Sequence, residues 1–209
     1  KTMNYKICLT LWVFLFTSSL FAQDTSFADG WEYVGVAVEE NDFTIWGSSP
    51  IMDTEGRVHL FVARWPAELK VDPGWRSDSE IAHYIGESPE GPFKFSEVSL
   101  KGKGAGHWDA SGPHNPAIHK VGDTYYLLYI ANDNPQQPPH PANQCIGLAK
   151  STSLFGPWVR VNGDGLILSP PDNPDYWNYK PSNGVNNPAL LQHPEGGFFL
   201  YFKSEGGKM

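Results

Sequence analysis

Within the eight residues Trp108-Asp109-Ala110-Ser111-Gly112-Pro113-His114-Asn115 the chain gathers an indole, a carboxyl, an imidazole and a carboxamide. A carboxyl and an imidazole can each pass a proton, and the imidazole titrates near neutrality. An indole plane suits the apolar face of a sugar ring, while carboxamides and hydroxyls suit its polar edge. The same residue types recur at Trp46 and Ser49, at Arg64 and Trp65, at His83, at Asn186 and Asn187, and at Glu205. Asp109, His114 and Glu205 are the candidate proton-transfer residues. Trp46, Ser49, Arg64, Trp65, His83, Trp108, Asn115, Asn186 and Asn187 are the candidate binding residues. Each has a plainer competing reading. Asp109 can cap its own loop, His114 can be a simple contact or turn residue, and any Trp can belong to the core. Arg64 can pair with Glu80 or Asp72, in place of gripping a carboxylate in a bidentate fork. Glu205 can be a wall residue.

These residues are positioned by a long-period repeat. Pro50, Pro116 and Pro188 each open an apolar strand, a Gly-containing turn follows, and a second strand runs back. The prolines lie 66 and 72 residues apart, and the Gly-Pro pairs at 91–92 and 156–157 repeat at 65. Repeated small antiparallel sheets with such a period predict an all-β chain built as a β-propeller, with units at about 44–100, 108–165 and 182–209. No sustained helical period occurs, so almost no helix is expected. In a propeller the start of the first strand, the end of the second and the loop into the third meet on one face. That face collects the candidates above, and the opposite face receives tight turns. The chain stops just after the second strand of the third unit, and about three blades of a longer protein are expected.

The composition excludes other classes. With 40% hydrophobic residues and 14% aromatic, a packed core is assured, and a formal charge of −8 without a basic cluster argues against nucleic acid. Residues 1–22 read as a signal peptide: Lys1 and Lys6 flank an n-region, Ile7 to Phe21 is uncharged and too short for a stable membrane span, and Ala22 is the cleavage point. The mature chain, 23–209, is expected to be secreted or periplasmic. It retains Cys145 alone, which predicts a buried thiol and no internal disulfide. The histidines lack zinc-ligand spacing, and phosphate loops and dinucleotide fingerprints are absent; no metal and no cofactor are expected.

The strand-opening Pro motif, Gly-Asp-Thr-Tyr-Tyr-Leu-Leu-Tyr at 122–129 and Gly-Leu-Ala-Lys-Ser-Thr-Ser-Leu-Phe-Gly-Pro-Trp at 147–158 resemble the five-bladed β-propeller glycosidases. That group includes glycoside hydrolase family 43, and the resemblance covers roughly residues 44–209. It implies five blades in the whole protein and hydrolysis of glycosidic bonds in plant or algal polysaccharides or oligosaccharides, with carbohydrate as the partner. It also implies an Asp before the first strand-one Pro as base, a second Asp in an equivalent place, and a Glu acid from a later blade. Here the matching positions are Ser49, Asn115 and Asn187, none of them a carboxylate. Two alternatives therefore stand beside the hydrolase. One is a polysaccharide lyase using His114 and Arg64; the other is a glycan-binding propeller without turnover.

Overall fold

The computed structural model describes residues 30–133, 144–179 and 183–204. The segment 1–22, expected to be a signal peptide, and Glu205 lie outside the described residues. The chain divides into a unit ending at Val34 and a second running from Gly35 to Met209. Of the first, residues 30–34 are described and are exposed. Among the described residues, all sheets belong to the second.

Three antiparallel sheets follow in chain order. The first holds β1 (Phe43–Met52), β2 (Val58–Pro66), β3 (Glu80–Gly86) and β4 (Lys94–Leu100), in that order across the sheet. The second runs β5 (Ser111–Val121), β6 (Thr124–Asn132), β7 (Cys145–Ser151) and β8 (Val159–Arg160), with β9 (Leu166–Leu168) also on β7. The third pairs β10 (Val185–Gln192) with β11 (Phe198–Ser204). A single short helix, α1 (Gly74–Ser77), and a 3-10 turn at Ala67–Leu69 lie in the loop between β2 and β3.

Burial follows from strand parity. Side chains alternate across a strand, so Phe61, Ala63 and Trp65 of β2 share one face, and Val58, Leu60, Val62 and Arg64 share the other. Phe61, Ile81 and Leu100 of the first sheet interlock with Ile118, Leu127, Tyr129 and Ala149 of the second. Leu128 and Ile146 on the second sheet's other face pack with Val185, Leu190 and Leu200 of the third. Each sheet is thus a sandwich layer for the next. The outer face of the first sheet is covered by Val38, from the segment before β1, together with Ile45 and Phe93.

Buried histidines run through the first sheet. His59 Nδ1 lies 2.7 Å from His83 Nε2, and His59 Nε2 lies 3.1 Å from Asp53 Oδ2. His83 stacks on Phe61 with ring centroids 4.7 Å apart. Desolvation, reinforced by His59, lowers its pKa to about 4. Cys145 is buried as expected, and desolvation raises its thiol to about 12.

Gly147 marks the tightest packing. A Cβ there would come within 2.4 Å of the Tyr129 ring and 2.7 Å of the Trp108 ring. Those two rings stack with centroids 5.7 Å apart, directly over the bare backbone. Gly147→Ala is expected to destabilise by about 1–3 kcal/mol through overpacking. Urea denaturation would show it as a lower midpoint at unchanged slope.

Candidate functional site

The innermost strand of each sheet carries a bulge. On β1 Trp46 faces Ala63 and Ser48 faces Val62, leaving Gly47 extra. On β5 the pairing jumps from His114 opposite Ile130 to Ala117 opposite Leu128, and on β10 from Asn186 opposite Lys203 to Ala189 opposite Tyr201. Gly47, Asn115 and Asn187 have φ of 48, 45 and 50°, the left-handed region that Gly and Asn tolerate best. The bulges converge on an open cavity of about 330 Å³ lined by Gly47, Ser48, Asn115, Pro116, Asn187 and Pro188. Across it Asn115 Nδ2 donates to Asn187 Oδ1 at 2.7 Å.

This register corrects the alignment read from the prolines. The structural counterpart of Asn115 and Asn187 is Gly47, not Ser49, because Pro50 stands two positions deeper in the ladder, opposite Leu60. Ser49 Oγ instead accepts from the Ile118 backbone at 3.0 Å and ties the first sheet to the second. Nor do the prolines open their strands. Each lies inside one, at a bulge or on the unpaired edge, where a missing N–H costs no ladder bond.

An adjoining cavity of about 390 Å³ shares Asn115 and Asn187 and adds His114 and Trp46 from the inner strands. Asn186 and Lys203 close it from the third sheet, Asn183 from the segment before β10, Gln144 from the segment before β7, and Val71, Asp72 and Trp75 from the loop around α1. Trp46 is 49% exposed there. Its ring leans on that of Trp65, with centroids 6.2 Å apart. Trp65 itself is fully buried and donates its indole N–H to Lys70 O at 2.7 Å. It supports the wall without forming it.

His114 is buried and spans 2.6 Å from Nδ1 to Gly112 O, which fixes that nitrogen as the donor. Desolvation outweighs this bond and a second one with the Gln144 side chain, lowering the pKa to about 4. At neutral pH the ring is therefore an uncharged, oriented acceptor. It presents an edge to Trp75, 5.1 Å away between centroids. The buried Oδ1 atoms of Asn183 and Asn186 have no hydrogen-bond partner. Buried acceptors of that kind call for donors, and a polyol supplies them. The carboxylate on the wall, Asp72, accepts from Arg76 Nε at 2.7 Å.

Other candidates sit elsewhere among the described residues. Asp109 is fully buried behind β5, ion-paired to Arg160 Nε at 2.5 Å and accepting from the Tyr129 hydroxyl at 3.1 Å. Trp108 lies on Tyr129 and donates to Asp164 O at 3.1 Å. Arg64 points to the outer face of the first sheet, as strand parity requires. It contacts Glu80 Oε1 at 3.0 Å and the Tyr84 hydroxyl at 2.9 Å, between the rings of Phe43 and Phe95. The pairing with Glu80 was one of its two sequence readings. His83 is buried against His59 and is not a cavity residue. The structure thus gathers Trp46, His114, Asn115, Asn186 and Asn187. It adds Trp75 and Gln144, which sequence reasoning passed over. Both lie in or at the end of loops between second and third strands, the segments already assigned to this face.

No protein-family model matches the chain, and no curated protein matches it in sequence. Solved structures do match. A family 117 glycoside hydrolase from the marine bacterium Zobellia galactanivorans superposes with a TM-score of 0.56 at 15% identity, over 80% of this chain and 56% of its own. A thermostable family 43 glycoside hydrolase gives 0.55 at 18% identity, over 78% and 48%. A family 43 β-xylosidase/α-arabinofuranosidase from a compost microbial metagenome, in complex with xylotriose, gives 0.52 at 17% identity, over 79% and 45%. The chain thus spans about half the length of these structures. They are β-propeller glycoside hydrolases, and the three stacked sheets here share that all-β propeller fold.

Two predictions follow from the buried groups. Asp109→Ala would strand Arg160 without its partner, at a cost of about 3–5 kcal/mol in chemical denaturation. The pH profile tests His114. Above pH 6.5 its ring is neutral folded and unfolded, and stability is pH-independent from this source. Between 6.5 and 4 the unfolded chain takes up a proton that the folded chain refuses. Stability then falls by up to about 1.4 kcal/mol per pH unit. His114→Gln should flatten the urea-derived stability profile across that window by this slope.

Proposed function

We propose that this chain carries the sugar-binding mouth of an exported glycoside hydrolase acting on a plant or algal polysaccharide or its oligosaccharides. The observation that carries this reading is the cavity itself. A half-exposed indole, Trp46, stands beside the unpartnered carboxamide oxygens of Asn183 and Asn186. Those groups match the apolar face and the hydroxyls of a sugar. Hydrolysis needs one carboxyl to protonate the leaving oxygen and another to activate water or attack carbon. Asp72, paired with Arg76, is the wall carboxylate available for the second of these roles. Glu205, two residues after Lys203, remains the candidate for the acid. Asp109 is reassigned to bracing the second sheet, since Arg160 and Tyr129 engage its Oδ2.

A specific observation favours the binding-module reading as the second choice: among the described residues, Asp72 is the one carboxylate on the cavity wall. The lyase reading loses support, because Arg64 lies on the far face of the first sheet from His114. Calorimetric titration and product analysis with a panel of plant and algal oligosaccharides, beginning with xylotriose, separate these readings. Asn186→Ala is expected to weaken binding about tenfold, the value of one lost hydrogen bond. Asp72→Asn should stop product release while leaving affinity within about threefold. Binding without product from the native chain would favour the module; no binding at all would overturn both.

A further inference from the structure

The loop between β9 and β10 inverts the usual distribution of residues. Tyr176 and Trp177 are 58% and 63% exposed, whereas the next residue, Asn178, is 5% exposed. Asn178 Nδ2 donates to Ser204 Oγ at 3.3 Å, and that hydroxyl donates to Gly184 O at 3.1 Å. The neighbours of these two anchors, Lys203 and Asn183, are both walls of the mouth cavity. The polar side chain is therefore the bolt, and the two aromatic side chains stay exposed on a segment anchored next to those cavity walls.

Residues 173–179 are also braced by local hydrogen bonds. Asn173 Oδ1 accepts from the Asp175 backbone at 3.0 Å, and the Tyr179 backbone donates to Tyr176 O at 3.1 Å. Pro170, Pro171 and Pro174 restrict the chain further. A preformed aromatic surface loses little conformational entropy when something lands on it. Single exposed aromatics are ordinary, but two consecutive ones on a braced loop at the edge of a cavity mark a contact surface.

We propose that Tyr176 and Trp177 form a second sugar platform at the rim, so that the ligand is a chain of linked sugars continuing beyond the mouth. This rests on the mouth being a sugar site. The ligand class is a neutral glycan, because Asp172 and Asp175 flank the platform and would repel carboxylate or sulfate groups. Indole and phenol faces stack on a neutral sugar ring without needing charge.

The test is affinity electrophoresis of the full chain in gels containing soluble xylan, arabinan or polygalacturonate, with parallel titration of the best-bound neutral trisaccharide. Trp177→Ala is expected to weaken retention by the neutral polymer about three- to tenfold and to change trisaccharide affinity less than twofold. Trp177→Phe, which keeps a ring face, should restore most of the retention. Since the side chain is exposed, melting midpoints should agree within about 2 °C. The mouth variant Asn186→Ala should weaken both polymer retention and trisaccharide affinity about tenfold.

Each departure has its own meaning. If Trp177→Ala is retained like the native chain while Asn186→Ala is weakened on both ligands, the rim platform is overturned and the mouth reading stands. If Asn186→Ala behaves as native while Trp177→Ala fails on polymer, the rim binds sugar and the mouth reading falls. Retention by polygalacturonate alone overturns the neutral-glycan assignment. A native chain retained by none of the three overturns both sites.

Discussion

An inner propeller strand has two obligations that conflict in a regular ladder. It must pair with its neighbour along its whole length, and it must bring chemistry to the shared axis at one end. The left-handed bulges at Gly47, Asn115 and Asn187 reconcile them by absorbing one extra residue each without losing the pairing on either side. Everything at the mouth depends on that device. His114 and Asn186 precede two of the bulges and Trp46 precedes the third. The bulge therefore decides which side chain enters the cavity and which returns to the sheet.

Buried charge serves the scaffold and not the mouth. Asp109 with Arg160, and Arg64 with Glu40 and Glu80, are embedded among aromatic rings. Against the cost of its own desolvation, hydrogen bonds from His59 and Arg57 hold the Asp53 carboxyl well below the usual carboxylate range. That carboxyl anchors the His59–His83 pair at the turn end of the first sheet. Such groups are costly to separate once their partners are fixed. They fix the sheets in register, and they explain why several residues with the right chemistry are absent from the cavity.

Much of the architecture was legible because the repeat reports geometry. Prolines near the axis, Gly-Pro turns and alternating strands recur since each sheet solves the same packing problem. The error in the first unit is instructive. By sequence Pro50 aligns with Pro116 and Pro188, but the residue that matters is the one at positive φ, and Gly47 shares that tolerance with Asn where Ser49 does not. The parity of β2 already separated Arg64 from Trp65 and placed Phe61, Ala63 and Trp65 together. Reading two-residue alternation through the end of the strand would have put Trp65 in the core and Arg64 outside. The pairing of Asp109 with Arg160, 51 residues apart, was not legible. It arises from how β8 returns to the second sheet, and no local pattern encodes that.

The axis itself carries amides where the family resemblance implies carboxylates, and this changes its electrostatics. Two carboxylates as close as the 2.7 Å between Asn115 and Asn187 could not both be ionised; one would have to hold a proton. The amide pair forms the same contact at any pH, using one donor and one acceptor and leaving a further donor and acceptor on the two groups. Beside it the neutral His114 adds no charge near pH 7. The axial end thus presents neutral hydrogen-bonding groups. On the hydrolase reading, the proton-transferring carboxyls must then approach from the rim of the mouth, where Asp72 stands on the loop around α1. On that reading, binding belongs to the inner strands and turnover to the loops that surround them.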